Sequence, residues 1–179
     1  MELEFLLMLL VLFFLIILVI ILSIYFIIPF LFGAPFEATK NKTMKTMIKF
    51  ASIKKEDRIA ELGSGNGKII FEIIKKYPRI KEIHGFEINP FLVLKTKIKI
   101  KKLPSPLREK IFIHWKSFWK EDLSKYNKIL FFQYKTIMSR LEKKVNNEVK
   151  KDSKIISNWW RFPNLKPKKQ EGTVYLYEK

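Results

Sequence analysis

The chain contains no cysteine, which excludes disulfides, thiolate metal sites and a catalytic thiol. Histidine is nearly as scarce: His84 and His114 are the only two, too few for a histidine-based zinc site. Acidic residues are in deficit as well, 17 Asp and Glu against 35 Lys and Arg, for a formal charge of +18. The first 36 residues hold Glu2 and Glu4 and no Lys or Arg, so the basic excess lies entirely beyond them. A basic domain is drawn to anionic partners such as phospholipid headgroups, nucleic acid or acidic protein faces. The lysines are scattered rather than clustered, however, which fits a solvated surface and a codon bias toward Lys, Ile, Phe and Asn better than a dedicated patch. The sequence also lacks internal repeats and low-complexity linkers, and 179 residues leave room for one ordinary domain plus an appendage.

That appendage is apolar. Phe5 to Phe32 carries no charge and is interrupted only by Ser23, Tyr25 and Pro29. As a helix it would extend roughly 42 Å, more than the roughly 30 Å hydrocarbon core of a bilayer, which permits tilt or an end at Pro29. A cleaved signal peptide would want a basic start, a shorter core and a small-x-small exit. Here the start is Met1-Glu2-Leu3-Glu4 and the exit Phe30-Leu31-Phe32-Gly33-Ala34-Pro35, so a retained anchor is the expectation. Lysines begin just after it (Lys40, Lys42, Lys45, Lys49), which places the following domain on the cytoplasmic side. The expected organisation is a transmembrane anchor over 1–32 and one folded domain over 33–179.

From Thr39 onward short apolar strands alternate with helical stretches, which argues a parallel α/β sheet. A helix is expected near Thr43–Phe50, a strand at Arg58–Leu62, a tight turn at Gly63–Gly67 and a helix over Lys68–Lys76 that stops at Pro78. A strand at Glu82–Glu87 precedes Asn89-Pro90, where Asn89 can cap and Pro90 open a helix. Lys95–Lys102 alternates like a strand but reads as helix, because parallel neighbours need a crossover. Pro104 and Pro106 mark a loop before a strand at Ile111–His114, and Lys128–Phe132 is a fourth strand. Tyr134–Lys150 spaces Ile137, Leu141, Val145 and Val149 four apart, one apolar helical stripe. Lys154–Trp159 and Thr173–Tyr177 complete the strands.

The chemistry-bearing segment is Glu61-Leu62-Gly63-Ser64-Gly65-Asn66-Gly67, between a strand and a helix. Glycines are needed where a ligand passes over a sharp turn that a Cβ would obstruct. About twenty residues past Gly67, Glu87 ends the next strand, where a carboxylate can accept hydrogen bonds from ribose hydroxyls. A dinucleotide fingerprint would require a sixth-position glycine, and Lys68 stands there. The acidic-x-Gly-x-Gly-x-Gly form instead resembles motif I of class I methyltransferases, whose loop backs the amino-acid end of S-adenosylmethionine.

Further segments narrow the resemblance. Pro35-Phe36-x-x-Thr39, Glu61–Gly67 and Gly85-Phe86-Glu87-Ile88-Asn89-Pro90-Phe91-Leu92-Val93 resemble the membrane-anchored class I protein-lysine methyltransferases, the family whose mitochondrial members modify the ATP synthase c-subunit and the adenine nucleotide translocator. Trp119-Lys120, Leu141-Glu142-Lys143-Lys144 and Phe162-Pro163 with Pro167 echo the same family, so the resemblance spans nearly the whole chain after Gly33. It implies an α/β, Rossmann-like class I S-adenosylmethionine-dependent methyltransferase domain preceded by one transmembrane helix. It also implies cofactor contacts from Thr39, Glu61, Gly63, Ser64, Gly65, Gly67, Glu87 and Asn89. Two positions depart. Ser117 stands where the family tends to have an Asp that contacts adenine, and Gln133-Tyr134-Lys135 replaces a Gly-x-Pro after the fourth strand. The Asp/Asn-Pro-Pro-Tyr signature of nucleic-acid amino-methyltransferases is missing there, so no nucleic-acid substrate is expected.

The implied reaction is S-adenosylmethionine-dependent methylation of a lysine in a membrane protein, by a monomer. Neutralising a lysine of pKa near 10.4 at pH 7 costs roughly 4.6 kcal/mol, which a base or an apolar channel must offset. Glu37 is the candidate proton acceptor or substrate ligand, equally readable as an interfacial carboxylate. Tyr134 is the candidate for lining the lysine channel, with Trp159 and Trp160, although aromatics at strand ends also serve as core; Trp115 and Trp119 suit packing or adenine stacking equally. Two alternatives stay open: methylation of a lipid or small membrane-borne molecule, and an inactive, basic membrane or ribosome adaptor on the same fold.

Overall fold

The computed structural model describes residues 2–23 and 39–179. Helix α1, Glu2–Leu22, is exposed from Leu3 to Leu22. Within it Leu3–Leu22, 20 residues, is long and apolar enough to cross a membrane. At 1.5 Å per residue that stretch is about 30 Å long, a bilayer core without surplus. The expected continuation to Phe32, the end at Pro29 and the segment with Glu37 lie outside the described residues.

The remaining helices are α2 (Asn41–Ala51), α3 (Lys68–Lys76), α4 (Pro90–Lys101), α5 (Ser105–Arg108) and α6 (Met138–Glu148). The strands are β1 (Arg58–Leu62), β2 (Glu82–Glu87), β3 (Ile111–Trp115), β4 (Lys128–Phe132), β5 (Lys154–Asn158), β6 (Lys169–Glu171) and β7 (Val174–Glu178). They form one sheet in the order β3-β2-β1-β4-β5-β7-β6. β1 is central and pairs in parallel with β2 and β4, Leu62 lying opposite Phe86 and Phe131.

Burial follows the sequence pattern. In α3 the isoleucines at 69, 70, 73 and 74 recur at helical spacing and face the sheet, while Lys75 and Lys76 close the last turn, where the helix dipole favours cations. Asn89 caps α4 by accepting from the amides of Phe91 and Leu92, with Pro90 as first residue, as its sequence suggests. Two apolar clusters cover the two faces of the sheet. One joins α2 and α3 to β1–β5 and β7 through Met47, Ile59, Ile73 and Ile83. The other joins α6 and the 162–165 loop through Phe86, Phe131, Leu141 and Phe162.

Several expectations need correction. The sheet is mixed, not wholly parallel: β7 runs antiparallel to both β5 and β6. The chain returns from β5 by a loop without a crossover helix, and such a return reverses direction. The loop at Pro104–Pro106 contains the single-turn helix α5, because Pro106 sits in its first turn, where no amide is needed. The helix expected over Tyr134–Lys150 begins with a 3₁₀ turn at Lys135–Ile137 and is α-helical only in α6. The strand expected to reach Trp159 stops at Asn158, since Trp159 has φ 72°. β6 has no hydrophobic signature because Lys169, Gln170 and Glu171 are all exposed on the sheet edge. It is held by α2: Thr46 and Lys49 each donate to the Glu171 carboxylate at 2.9 Å.

Candidate functional site

Strand order places a switch point at the carboxyl ends of β1 and β4, where the connection out of β1 goes to one side and that out of β4 to the other. Open α/β sheets bind ligands at that switch point. From Leu62 the chain turns through Gly63, Gly65 and Gly67, whose φ values are 81°, 54° and 75°. A Cβ at these values is strained, and on Gly63 it would run into the Gln133 amide.

Four of the loop's amides are already engaged. Gly63 and Ser64 both donate to the Phe86 carbonyl at 2.9 Å, and Gly67 donates to the Ser64 carbonyl at 2.9 Å. Gly65 donates to Glu87 Oε2 at 2.8 Å. A diphosphate would therefore find little of the free amide cradle on which a dinucleotide site depends.

Two carboxylates dominate the electrostatics. Glu87 Oε1 accepts from the amides of Ile88 at 2.9 Å and Asn89 at 2.8 Å, in addition to the Gly65 bond on Oε2. Burial raises its pKa against the pull of those three amides. Glu61, buried on the neighbouring strand, is pushed well above the usual carboxylate range by burial and then by the charge of Glu87. Glu61 Oε2, Asn89 Nδ2 and Gln133 Oε1 are buried without a hydrogen-bond partner. Buried polar atoms are ordinarily satisfied, so these are openings for a ligand. Their chemistry suits S-adenosylmethionine, which brings an ammonium and a sulfonium to paired carboxylates and hydroxyls to Glu87. A diphosphate would set negative charge against the same pair.

Of the other expected site residues, Thr39 is buried, and its carbonyl accepts from Lys68 Nζ at 2.5 Å, so the chain enters the domain beside the start of α3. Ser64 Oγ is likewise buried without a hydrogen-bond partner and lies against β2, where a Cβ on Gly85 would come within 2.8 Å of it. Ser117 Oγ caps the 3₁₀ turn at Phe118–Lys120, accepting from Trp119 at 3.4 Å. Trp115, at the end of β3, donates from its indole to the Ile88 carbonyl at 3.0 Å. Tyr134 is exposed just beyond β4. Trp159 is exposed beyond β5 and stacks on Phe132 at 6.4 Å between centroids, whereas Trp160 packs against the core. A bulky side chain in the left-handed region, as at Trp159, is strain of a kind that gathers at functional sites. The two histidines meet elsewhere, His84 Nδ1 lying 3.0 Å from His114 Nε2 between β2 and β3, and burial lowers the pKa of both.

Sequence reasoning did not single out Gln133 as a candidate site residue. It is buried, donates to the Leu62 carbonyl at 2.9 Å and abuts Gly63, so it ties the end of β4 to the turn after β1. The departure from Gly-x-Pro was its only signal. Glu142 was missed too: it is buried and accepts from the amides of Asn164 and Leu165 and from Asn164 Nδ2, pinning the 162–165 loop.

A sheet in this order, with β7 reversed and a glycine turn after its central strand, defines a class I methyltransferase fold. Within that class the chain belongs to the family described as the ANTKMT methyltransferase domain, which matches residues 61–169. It is 26% identical over 149 residues to the human ATP synthase c-subunit lysine N-methyltransferase, covering 80% of this chain and 61% of that protein. It is 25% identical over 151 residues to a protein-lysine N-methyltransferase of Saccharolobus islandicus, covering 80% of this chain and 92% of that protein. The chain thus spans less than two thirds of the human relative. Among solved structures, an RNA methyltransferase from Salinibacter ruber in complex with S-adenosyl-L-homocysteine superposes with a TM-score of 0.72 at 19% identity, over 79% of this chain and 93% of that one. The precorrin-6y C5,15-methyltransferase of Geobacter metallireducens gives 0.56 at 15% identity, over 68% and 63%. At those identities the likeness is one of fold alone. The family resemblance read from the motifs is borne out.

Proposed function

We propose that the protein is an S-adenosylmethionine-dependent protein-lysine N-methyltransferase, anchored by residues 1–32, with its catalytic domain, 33–179, facing the cytoplasm as a monomer. The observation that carries the cofactor is the glycine turn with four of its amides engaged beside two buried carboxylates, Glu61 and Glu87. The names of the human and Saccharolobus relatives support lysine as acceptor, and α1 supports a membrane-borne one.

When bound, S-adenosylmethionine would supply an electrophilic methyl group to the neutral lysine nitrogen and leave as S-adenosylhomocysteine. Gly63, Gly65 and Gly67 would give the cofactor's amino-acid end room, Glu61 would face its ammonium, and Glu87 would accept from ribose through the lone pair its three amides leave. Asn89 Nδ2 and Gln133 Oε1 offer one donor and one acceptor. Thr39 and Ser117 border the pocket, and Ser64 shapes the turn from beneath. Most of the rate then comes from positioning and exclusion of water. Phe132, stacked on Trp159, and the exposed Tyr134 offer aromatic surface at the ends of β4 and β5 that would desolvate the incoming lysine and help offset the roughly 4.6 kcal/mol of deprotonation. Glu37 takes the proton.

The test is transfer of labelled methyl groups from S-adenosylmethionine to membranes of cells lacking the protein. Label should enter a lysine of a membrane protein, and a form truncated before Glu37 should bind cofactor yet lose most of that activity. Label in the lipid extract, or equal activity of the truncated form on soluble protein or RNA, overturns the reading.

A further inference from the structure

Helix α4 is apolar on two opposite faces. Leu92, Val93, Thr96 and Ile100 point into the domain. On the other side Phe91 is 43% exposed, Leu94 58% and Ile98 49%. At 3.6 residues per turn these three fall within an arc of about 60°, a continuous stripe where a surface helix ordinarily presents polar residues. Lysines border the stripe: Lys95 and Lys102 on one side, Lys97 and Lys101 on the other, all exposed. α4 contains no acidic residue. Trp115, 66% exposed and bonded to the Ile88 carbonyl, sits by the turn that opens the helix.

We propose that this outer face of α4 docks onto the surface of an anionic lipid bilayer, with Phe91, Leu94 and Ile98 entering the headgroup region and the flanking lysines meeting lipid phosphates. The inference rests on the reading of α1 as a membrane anchor and adds which face of the domain meets the membrane.

The occupant follows from three features. A narrow apolar stripe bordered only by cations is the pattern of helices that lie in a membrane interface, and tryptophan is enriched at that depth. A protein groove would also accept the apolar side chains, but the lysines on both flanks ask for negative charge on both sides, which a surface of anionic headgroups supplies. The third feature is reach. Only 16 residue steps separate Ser23 from Thr39, at most about 55 Å of chain. Thr39 is held by Lys68, immediately after the glycine turn, at the carboxyl ends of the strands, where α4 also starts. The described chain therefore enters the domain at the same end of the sheet from which the stripe begins.

The absence of cysteine makes the test direct. Single cysteines in the full chain (Leu94→Cys, Ile98→Cys and, on α6 across the sheet, Lys143→Cys) are labelled with an environment-sensitive fluorophore and reconstituted into phosphatidylcholine vesicles with and without phosphatidylglycerol. Retained binding of S-adenosylhomocysteine confirms folding of each variant. Labels at 94 and 98 should shift to the blue, lose accessibility to iodide and be quenched by nitroxides placed near the lipid headgroups. All three effects should be stronger with phosphatidylglycerol and reversed by high salt or by Lys95→Gln with Lys97→Gln, while the label at 143 stays aqueous. Labels at 94 and 98 that match 143 while the chain floats with the vesicles overturn the docking and leave the anchor intact. A chain that does not float overturns both. Protection without lipid quenching, accompanied by a dimer in light scattering, means that a second copy covers the face and also overturns the proposal.

Discussion

Replacing Glu87 with glutamine separates the work this carboxylate does for the fold from the work proposed for it in binding. Its two oxygens accept three amides: Gly65 on Oε2, and Ile88 and Asn89 on Oε1. Glutamine keeps the shape and can keep the Oε1 pair, but its NH₂ then faces the Gly65 amide, donor against donor. One charge-assisted bond is lost, worth about 1.5–3 kcal/mol. Burial, which raises the Glu87 pKa, returns part of that, because the variant no longer buries a charge beside Glu61. A net loss of about 1–2 kcal/mol should lower the midpoint of thermal unfolding by about 3–6 °C in a domain of this size. If the remaining lone pair also accepts from ribose, affinity for S-adenosylhomocysteine falls by a further factor of about 10 or more. Thermal melts in detergent with and without ligand, together with titration calorimetry, read the two losses separately. An unchanged melting midpoint would refute the three-amide clamp, and a lowered midpoint with affinity within about two-fold of the parent would refute the ribose contact.

Glu61→Gln should change the pH dependence of stability. An unfolded glutamate titrates near about 4.3, and burial beside Glu87 raises the folded value well above that. Between the two values the folded chain holds a proton that the unfolded chain has released, so this group's contribution falls as pH rises and levels off above the folded pKa. The variant should therefore gain stability relative to the parent as pH rises from 4 toward neutrality, and melts across that range that run parallel would contradict the buried acid. Gly63→Val combines a left-handed φ with a clash against Gln133 and should abolish S-adenosylhomocysteine binding by calorimetry; tight binding of NAD by the parent, with none of S-adenosylmethionine, would reverse the cofactor assignment. The full chain should stay in the membrane pellet after alkaline carbonate washing, and its release into the supernatant would remove the anchor.

Much of this protein was legible in its residues because the deciding physics is local. Isoleucines at helical spacing, the Asn89-Pro90 cap and glycines that alone tolerate left-handed φ act over a few residues, so α3, α4 and the limits of β1, β2 and β4 follow from the chain itself. The cofactor motif belongs to the same level, since one strand, one turn and one helix contain it. What the tertiary structure alone decided involves partners far apart in sequence. β6 exists because β7 and Glu171's bonds to α2 hold it, although its own three residues carry no strand signal. Gln133 becomes part of the site only when β4 is laid beside β1 and its amide reaches the Leu62 carbonyl 71 residues away. Glu61 acquires its raised pKa only once the sheet buries it next to Glu87. The outward stripe on α4 is likewise invisible in sequence: nothing in its apolar residues says which will be covered until the packing of Leu92, Val93 and Ile100 leaves Phe91, Leu94 and Ile98 facing out. Periodicity states which residues share a face, but which face is covered depends on what the rest of the chain brings against it.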